Sequence, residues 1–196
     1  MLSYPGPPTI PDMRFHVLPL RMASLALCLV TVPRSDALSQ VGAGAAVFGG
    51  FATPGGSSAQ SYGAGGTVGA GVGMELAGSP VGFRLEGSFV RLDGAEYAGI
   101  AFPAVKMIPL IGSVRIRLRD AAVMPYLFGG AGAAFVHHNV SYDGYAGSFA
   151  SLIGGGARLG RGTAVPSLEL RYVRISTPVA PTAFFLMTGM ISVGRY

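Results

Sequence analysis

Cysteine, lysine and charge are scarce in this sequence, and tryptophan is absent. The one cysteine, Cys28, allows no disulfide within the chain. Charged residues make up 12% of the 196 positions and hydrophobic ones 50%, which excludes a disordered chain. Such a balance usually signals membrane helices. Yet no run of about 18 uninterrupted apolar residues occurs, so a transmembrane helix is excluded too. The basic side chains are arginines except for Lys106, and they are spread along the chain. The net charge of +5 therefore marks no nucleic-acid surface, and no nucleic-acid partner is expected. What is abundant is glycine, 31 residues scattered among the apolar ones. A single glycine-rich all-β domain remains, either soluble or a membrane barrel.

Residues 14–37 divide into the three parts of a secretory signal. Arg14, His16 and Arg21 form a basic start, and Met22 to Val32 is an apolar stretch. Ser35-Asp36-Ala37 puts small residues where a signal peptidase cuts, so cleavage is expected after Ala37. A short buried or anchoring helix is the competing reading, and the stretch is too short to span a bilayer. Leu27 stands where a lipoprotein signal needs a small residue before its cysteine, so Cys28 is not expected to carry lipid. A chain cleaved there has no thiol, which suits an oxidising compartment. Residues 1–12 carry four prolines and no basic side chain, and translation is expected to begin at Met13. The expected organisation is a leader over 1–37 and a barrel over 38–196, exported through the general secretory pathway.

Period-two alternation fills the rest. Val81, Phe83, Leu85 and Phe89 share one face, and Arg84, Glu86 and Ser88 the other. Ile108, Leu110, Val114, Ile116 and Leu118 oppose Ser113, Arg115, Arg117 and Arg119. Leu168, Leu170 and Tyr172 oppose Ser167, Glu169 and Arg171. Val68, Ala70, Val72, Met74 and Leu76 alternate with Gly69, Gly71, Gly73 and Glu75. A strand separates such sets cleanly, whereas a helix scatters them. Segments 40–51, 124–137, 147–160 and 183–196 alternate more weakly and bring the count to eight. The spacing predicts longer connections at 52–62, 92–103, 138–146 and 176–182, and tight ones at 77–80, 120–123 and 160–163. Outer-membrane barrels place short turns in the periplasm and longer loops outside. Pro109 interrupts the fourth strand, which implies a bulge or a start near Leu110. The fifth strand is apolar on both faces, so its inward side is not assigned.

A sheet that spans lipid must close on itself, and eight strands leave a lumen that side chains just fill. Glu75, Arg84, Glu86, Arg115, Arg117, Arg158, Glu169 and Arg171 all fall on the polar faces. In a membrane barrel these faces turn inward, and isolated charges there are too costly to stay unpaired. A lumen ion-pair network is expected, with the neighbouring glycines leaving room for it. A soluble lipocalin-like barrel would have an apolar lumen and charges outside.

Pro125-Tyr126 followed by GGAGAAF (129–135), GGGARL (154–159) and SLELRYV (167–173) resemble the small outer-membrane β-barrel family of OmpA-like and OmpX-like proteins. The resemblance covers roughly 40–196. It implies an eight-stranded antiparallel up-and-down transmembrane barrel in the bacterial outer membrane. It also implies that Tyr196 is the terminal aromatic signal read by the barrel-assembly machinery, although the family usually ends in Phe and keeps the preceding apolar residues in phase. Outer-membrane lipid and lipopolysaccharide are the implied surroundings. Without tryptophan, an interfacial girdle must rely on Phe89, Phe102, Tyr126, Phe135 and Tyr172.

Some barrels of this kind modify lipid A with a His/Ser pair. His137, His138 and Ser141, where the fifth strand meets an outer loop, are the most suggestive residues for that chemistry. The family's deacylase motif places its serine two residues after the histidine, and this chain does not. Adjacent histidines point to opposite strand faces and make a poor metal pair. No G-x-G-x-x-G occurs, so no nucleotide loop is present. Glu75 and Glu86 fit lumen ion pairs better than acid/base work. Tyr62, Tyr97, Tyr142 and Tyr145 fall in the glycine- and serine-rich outer loops and suit an extracellular ligand. No enzyme activity, cofactor or metal is expected. The expected role is structural or adhesion-like, with a small-solute pore or a lipid A-modifying enzyme as alternatives.

Overall fold

The computed structural model describes residues 41–76, 78–138, 145–177 and 181–194. Residues 1–40, with Met13 and Cys28 of the expected leader, and Tyr196 lie outside the described residues.

Eight strands close into one antiparallel barrel. They are β1 Val41–Gly55, β2 Tyr62–Leu76, β3 Val81–Gly94, β4 Val105–Arg117, β5 Val123–His138, β6 Tyr145–Leu159, β7 Ala164–Ser176 and β8 Thr182–Gly194. Each pairs with its neighbour in the chain. β8 returns to pair with β1, from Gly44↔Gly194 to Gly55↔Ala183. Closure leaves no row of unpaired backbone groups, the condition for a sheet in hydrocarbon.

The strands run further at the long-connection end than alternation predicts. The connection expected at 52–62 shrinks to 56–61, because β1 continues to Gly55 and β2 begins at Tyr62. Pro54 and Gly55 look like loop residues, but pairing with Phe184 and Ala183 on β8 extends the ladder through them. A short 3-10 turn, Gly56–Gln60, fills the gap. Its buried Ser58 Oγ accepts a hydrogen bond from the Ala183 N–H at 3.0 Å, fastening the turn to β8. The next long connection carries a small hairpin, Glu96–Tyr97 against Ile100–Ala101. It turns on Ala98 and Gly99 at φ 53° and 78°, the left-handed pair that a tight hairpin turn requires.

Pro109 causes neither a bulge nor a late start. β4 begins at Val105, and Pro109 stands in register opposite Ala134 of β5. Toward β3 the pairing lapses between Gly87↔Leu110 and Val90↔Met107, with the same register on both sides. The missing N–H costs a short gap in one ladder and nothing more. β5 turns Met124, Tyr126, Phe128, Ala134 and Val136 inward, while Leu127 and Phe135 face outward.

The outside is apolar. Val47, Val68, Leu85, Leu127, Ile153, Leu168, Leu170 and Met187 are all exposed, Ile153 by 64%. A water-soluble protein rarely shows so large a contiguous patch, whereas a lipid-facing belt requires one. The chain is a transmembrane β-barrel.

The lumen has two storeys. The lower one, toward the short turns, holds the charges. The upper one, toward the long connections, is a packed apolar cluster that includes Leu92, Val105, Met107, Val136, Ile175 and Phe184. Inward charges alone predict a polar lumen throughout, and an apolar lumen was expected only of a soluble barrel. Polarity instead changes phase along the strands. On β7, Ser167, Glu169 and Arg171 point inward, and then so do Val173 and Ile175. Outside, Leu168 and Leu170 give way to exposed Arg174 and Ser176. β3 does the same, from Arg84 and Glu86 to Val90 and Leu92 inside, and from Leu85 and Phe89 to Arg91 and Asp93 outside. The outer face becomes polar where the hydrocarbon ends, and the lumen beside it fills with hydrophobic side chains.

Candidate functional site

The lower storey brings together all eight charged residues picked out from the alternation. They fall into two sets. In the first, Glu169 of β7 sits among three donors. Arg84 Nη1 reaches its Oε1 at 2.6 Å, the Tyr126 hydroxyl donates to Oε1 at 2.6 Å, and Arg171 Nε donates to Oε2 at 2.7 Å. Glu86 receives Arg171 Nη1 at 2.8 Å and faces Arg84 Nε at 2.9 Å. Two arginines and two glutamates thus form a neutral, buried square that ties β3 to β7 across the lumen. In the second set Glu75 of β2 pairs with Arg115 of β4, Arg158 of β6 at 3.4 Å and Arg117 at 3.9 Å. Arg117 also donates to the Ser79 carbonyl at 3.1 Å, which holds the turn between β2 and β3.

Desolvating a charge costs several kcal/mol per ion, and only good geometry with several hydrogen bonds offsets it. Glu169 meets that condition with three hydrogen bonds, whereas Glu86 Oε2 and Arg84 Nε meet as an ion pair without one. Aromatic rings supply a further term: the Arg171 guanidinium lies 4.3 Å from the Phe48 ring centroid, and Arg84 lies 4.9 Å from that of Phe128. Both oxygens of Glu169 accept hydrogen bonds from arginine or tyrosine donors, and Glu86 lies between Arg171 and Arg84.

Glycine makes the square sterically feasible. Gly154 stands opposite both Phe128 and Arg171, and Gly156 opposite both Tyr126 and Glu169. A Cβ on Gly154 would meet the Leu170 carbonyl oxygen at 2.5 Å and Phe128 Cζ at 2.6 Å. One on Gly156 would meet Glu169 Cγ at 2.8 Å and Tyr126 Cζ at 2.9 Å. These are close approaches that no other residue allows. The void beside Arg84 and Arg115, bounded by Gly71, Gly73 and Ser192, is about 10 Å³, at most the space of one water.

Alternation missed the aromatic partners. Tyr126, expected in the interfacial girdle, is buried in the lumen, because its hydroxyl can bond only on that side. Phe102 lies in the connection before β4 and not on a spanning strand. Phe89 and Phe135 face outward, and Tyr172 packs on Phe185 with centroids 5.1 Å apart. Tyr62, expected in a loop, begins β2 and packs half-buried against the upper cluster. Tyr97 is exposed in the small hairpin. His137 stands opposite Lys106. Asn139, Ser141 and Tyr142 lie outside the described residues, as do the side chains of His138 and Tyr145. Among the described residues, no group of three or more His, Cys, Asp or Glu side chains could hold a metal ion.

No family model matches the chain, and no curated protein matches it. Solved structures do. Neisserial surface protein A matches with a TM-score of 0.55 at 12% identity, over 80% of this chain and 97% of that one. Ail, the attachment invasion locus protein of Yersinia pestis, matches at 13% identity over 80% of this chain and 99% of its own, with a TM-score of 0.43. Outer membrane protein AlkL, solved in lipid bilayers, matches at 13% identity over 85% of this chain and 93% of its own, with a TM-score of 0.42. At such identities the likeness is one of fold, and the fold is the eight-stranded barrel shared with outer-membrane proteins.

Proposed function

We propose that this chain is a bacterial outer-membrane barrel with a structural or surface-interaction role, neither an enzyme nor a conducting pore. The supporting observation is the lumen, filled on two levels. The upper apolar cluster offers no path for ions, and the lower square braces opposite walls with buried ion pairs. Eight strands leave little room beyond these side chains. What remains free to meet a partner is the outer rim, where the Glu96–Ala101 hairpin presents Tyr97. By its name, Neisserial surface protein A is a surface protein, and the same placement is proposed here. Export through the secretory pathway, insertion by the barrel-assembly machinery and surroundings of outer-membrane lipid and lipopolysaccharide belong to the same reading.

Reconstitution into a planar bilayer tests the closed lumen. Insertion is expected to leave the current at baseline apart from brief, irregular events. Steady conductance steps of defined size would support the small-solute pore instead.

A further inference from the structure

We infer that the outward face of the barrel carries a binding site for the phosphate-bearing headgroup of an outer-leaflet lipid, built on Arg91 and Lys106. The inference rests on the membrane reading above and extends it to a named ligand class.

The strand register lines these residues up. Gly66 of β2 stands opposite Arg91 of β3, Arg91 opposite Lys106 of β4, and Lys106 opposite His137 of β5. All occupy outward positions. On each strand the next outward residue toward the short turns belongs to the apolar belt: Val68, Phe89, Ile108 and Phe135, each exposed. The basic row therefore sits at the edge of the hydrocarbon, on the side of the long connections.

Two features make this a site and not a chance run of charge. Directly opposed like charges on neighbouring strands destabilise a sheet unless an anion lies between them. Asp93 meets Arg91 at 3.3 Å, and one carboxylate beside Arg91 and the opposed Lys106 leaves those three side chains with a net positive charge. Beside Arg91 the wall is also cut away. Ala64, Gly65, Gly66, Arg91 and Asp93 line an open groove of about 440 Å³, where β2 shifts register between Tyr62 and Gly65. Phe51, 71% exposed, stands opposite Gly66 and walls the far side.

A phosphate set over Arg91 and Lys106 would receive a guanidinium fork and an ammonium. An acyl chain running down from it would lie over Gly66 and Val68, against Phe51. Basic side chains at a membrane surface favour anionic lipids. The continuity of the charged row with the belt selects a lipid over a free anion.

The test uses the folded barrel in uncharged maltoside micelles, with native mass spectrometry counting retained lipid. The micelles are doped with bisphosphorylated lipid A, or with lipid A stripped of its phosphates, or with lipid A plus inorganic phosphate. One phosphorylated lipid A is expected to remain bound. The stripped form should be retained on the order of tenfold more weakly, and equimolar inorganic phosphate should not displace the lipid. The double variant Arg91→Gln, Lys106→Gln should lose retention by a similar factor while still migrating as a heat-modifiable barrel. Arg174→Gln, on the outward face of β7, should change nothing. Equal retention of the two lipids, full retention by the double variant, or displacement by inorganic phosphate would overturn the site. Loss of heat-modifiable migration in the unaltered protein would instead overturn the membrane barrel itself.

Discussion

Replacing Glu169 by alanine is expected to cost about 3–5 kcal/mol of barrel stability, the range for breaking a buried pair from one side. Its carboxylate is fully buried and binds Arg84, Arg171 and Tyr126 at once. Without it, the neutral square holds two guanidinium groups against the single carboxylate of Glu86. Urea unfolding of the barrel from lipid vesicles, followed by heat-modifiable migration, measures the loss. Two further variants separate electrostatics from lost volume. Glu169→Gln keeps the shape and should lose most of the same stability. Arg84→Met combined with Glu169→Met removes charges of both signs and should recover much of it, because well-packed apolar replacements of buried pairs are often neutral or better. If Glu169→Ala shifts the midpoint no more than an exposed Arg161→Ala control, the square is not what braces the lumen. Arg161 pairs with Asp120 at 2.6 Å in the open, where such a pair contributes at most about 1 kcal/mol.

The second large effect is steric. Gly154→Val is expected to destabilise the barrel at the upper end of the roughly 1–3 kcal/mol typical of overpacking. The new side chain meets a backbone oxygen and the Phe128 ring together. Phe128 can move, but the Leu170 carbonyl belongs to the neighbouring strand and cannot. Adding Phe128→Leu should therefore restore only part of the loss. Gly189→Ala on the outward face of β8, where a Cβ meets nothing within 4 Å, should shift the same midpoint by less than about 0.5 kcal/mol. Equal effects at the two glycines would remove the close packing proposed for the lumen.

The alternation showed which residues share a face wherever one face is charged. Arg84 and Glu86 on β3, and Glu169 and Arg171 on β7, could be set on the inward face and expected to pair, because buried charges are too costly alone, but which charge meets which follows from the fold. β5 gave no such signal, since Tyr126 and Phe128 alternate with Leu127 and Phe135 and both sets are apolar. Its inward side is set by its neighbours: Gly154 and Gly156 open space on one face only, and Tyr126 has a hydroxyl to satisfy there. The upper storey was hidden for a different reason. Against a single alternating phase, Val90, Leu92, Val173 and Ile175 look like strand ends losing their pattern. Arg91, Asp93 and Arg174, the outward residues between and beside them, show that the pattern has inverted. The proline and glycines of residues 53–56 pointed to a loop, and pairing with β8 prevailed over that local preference. The register that aligns Arg91 with Lys106 and His137 lies beyond the sequence altogether, since it depends on how three strands slide against one another.

An inside-out barrel makes one demand that a soluble barrel cannot meet, and a label scan along β7 addresses it directly. Cys28 is the only native thiol, so in a Cys28→Ala background single cysteines at Ser167, Leu168, Leu170, Val173 and Arg174 can carry spin labels without interference. In lipid vesicles, labels at Leu168 and Leu170 are expected to be quenched by oxygen, which concentrates in the bilayer, and not by a water-soluble nickel chelate. Those at Ser167 and Val173 should be shielded from both, and that at Arg174 should begin to feel the chelate. The contradicting result is chelate quenching at Leu168 and Leu170 together with oxygen access at Ser167 and Val173.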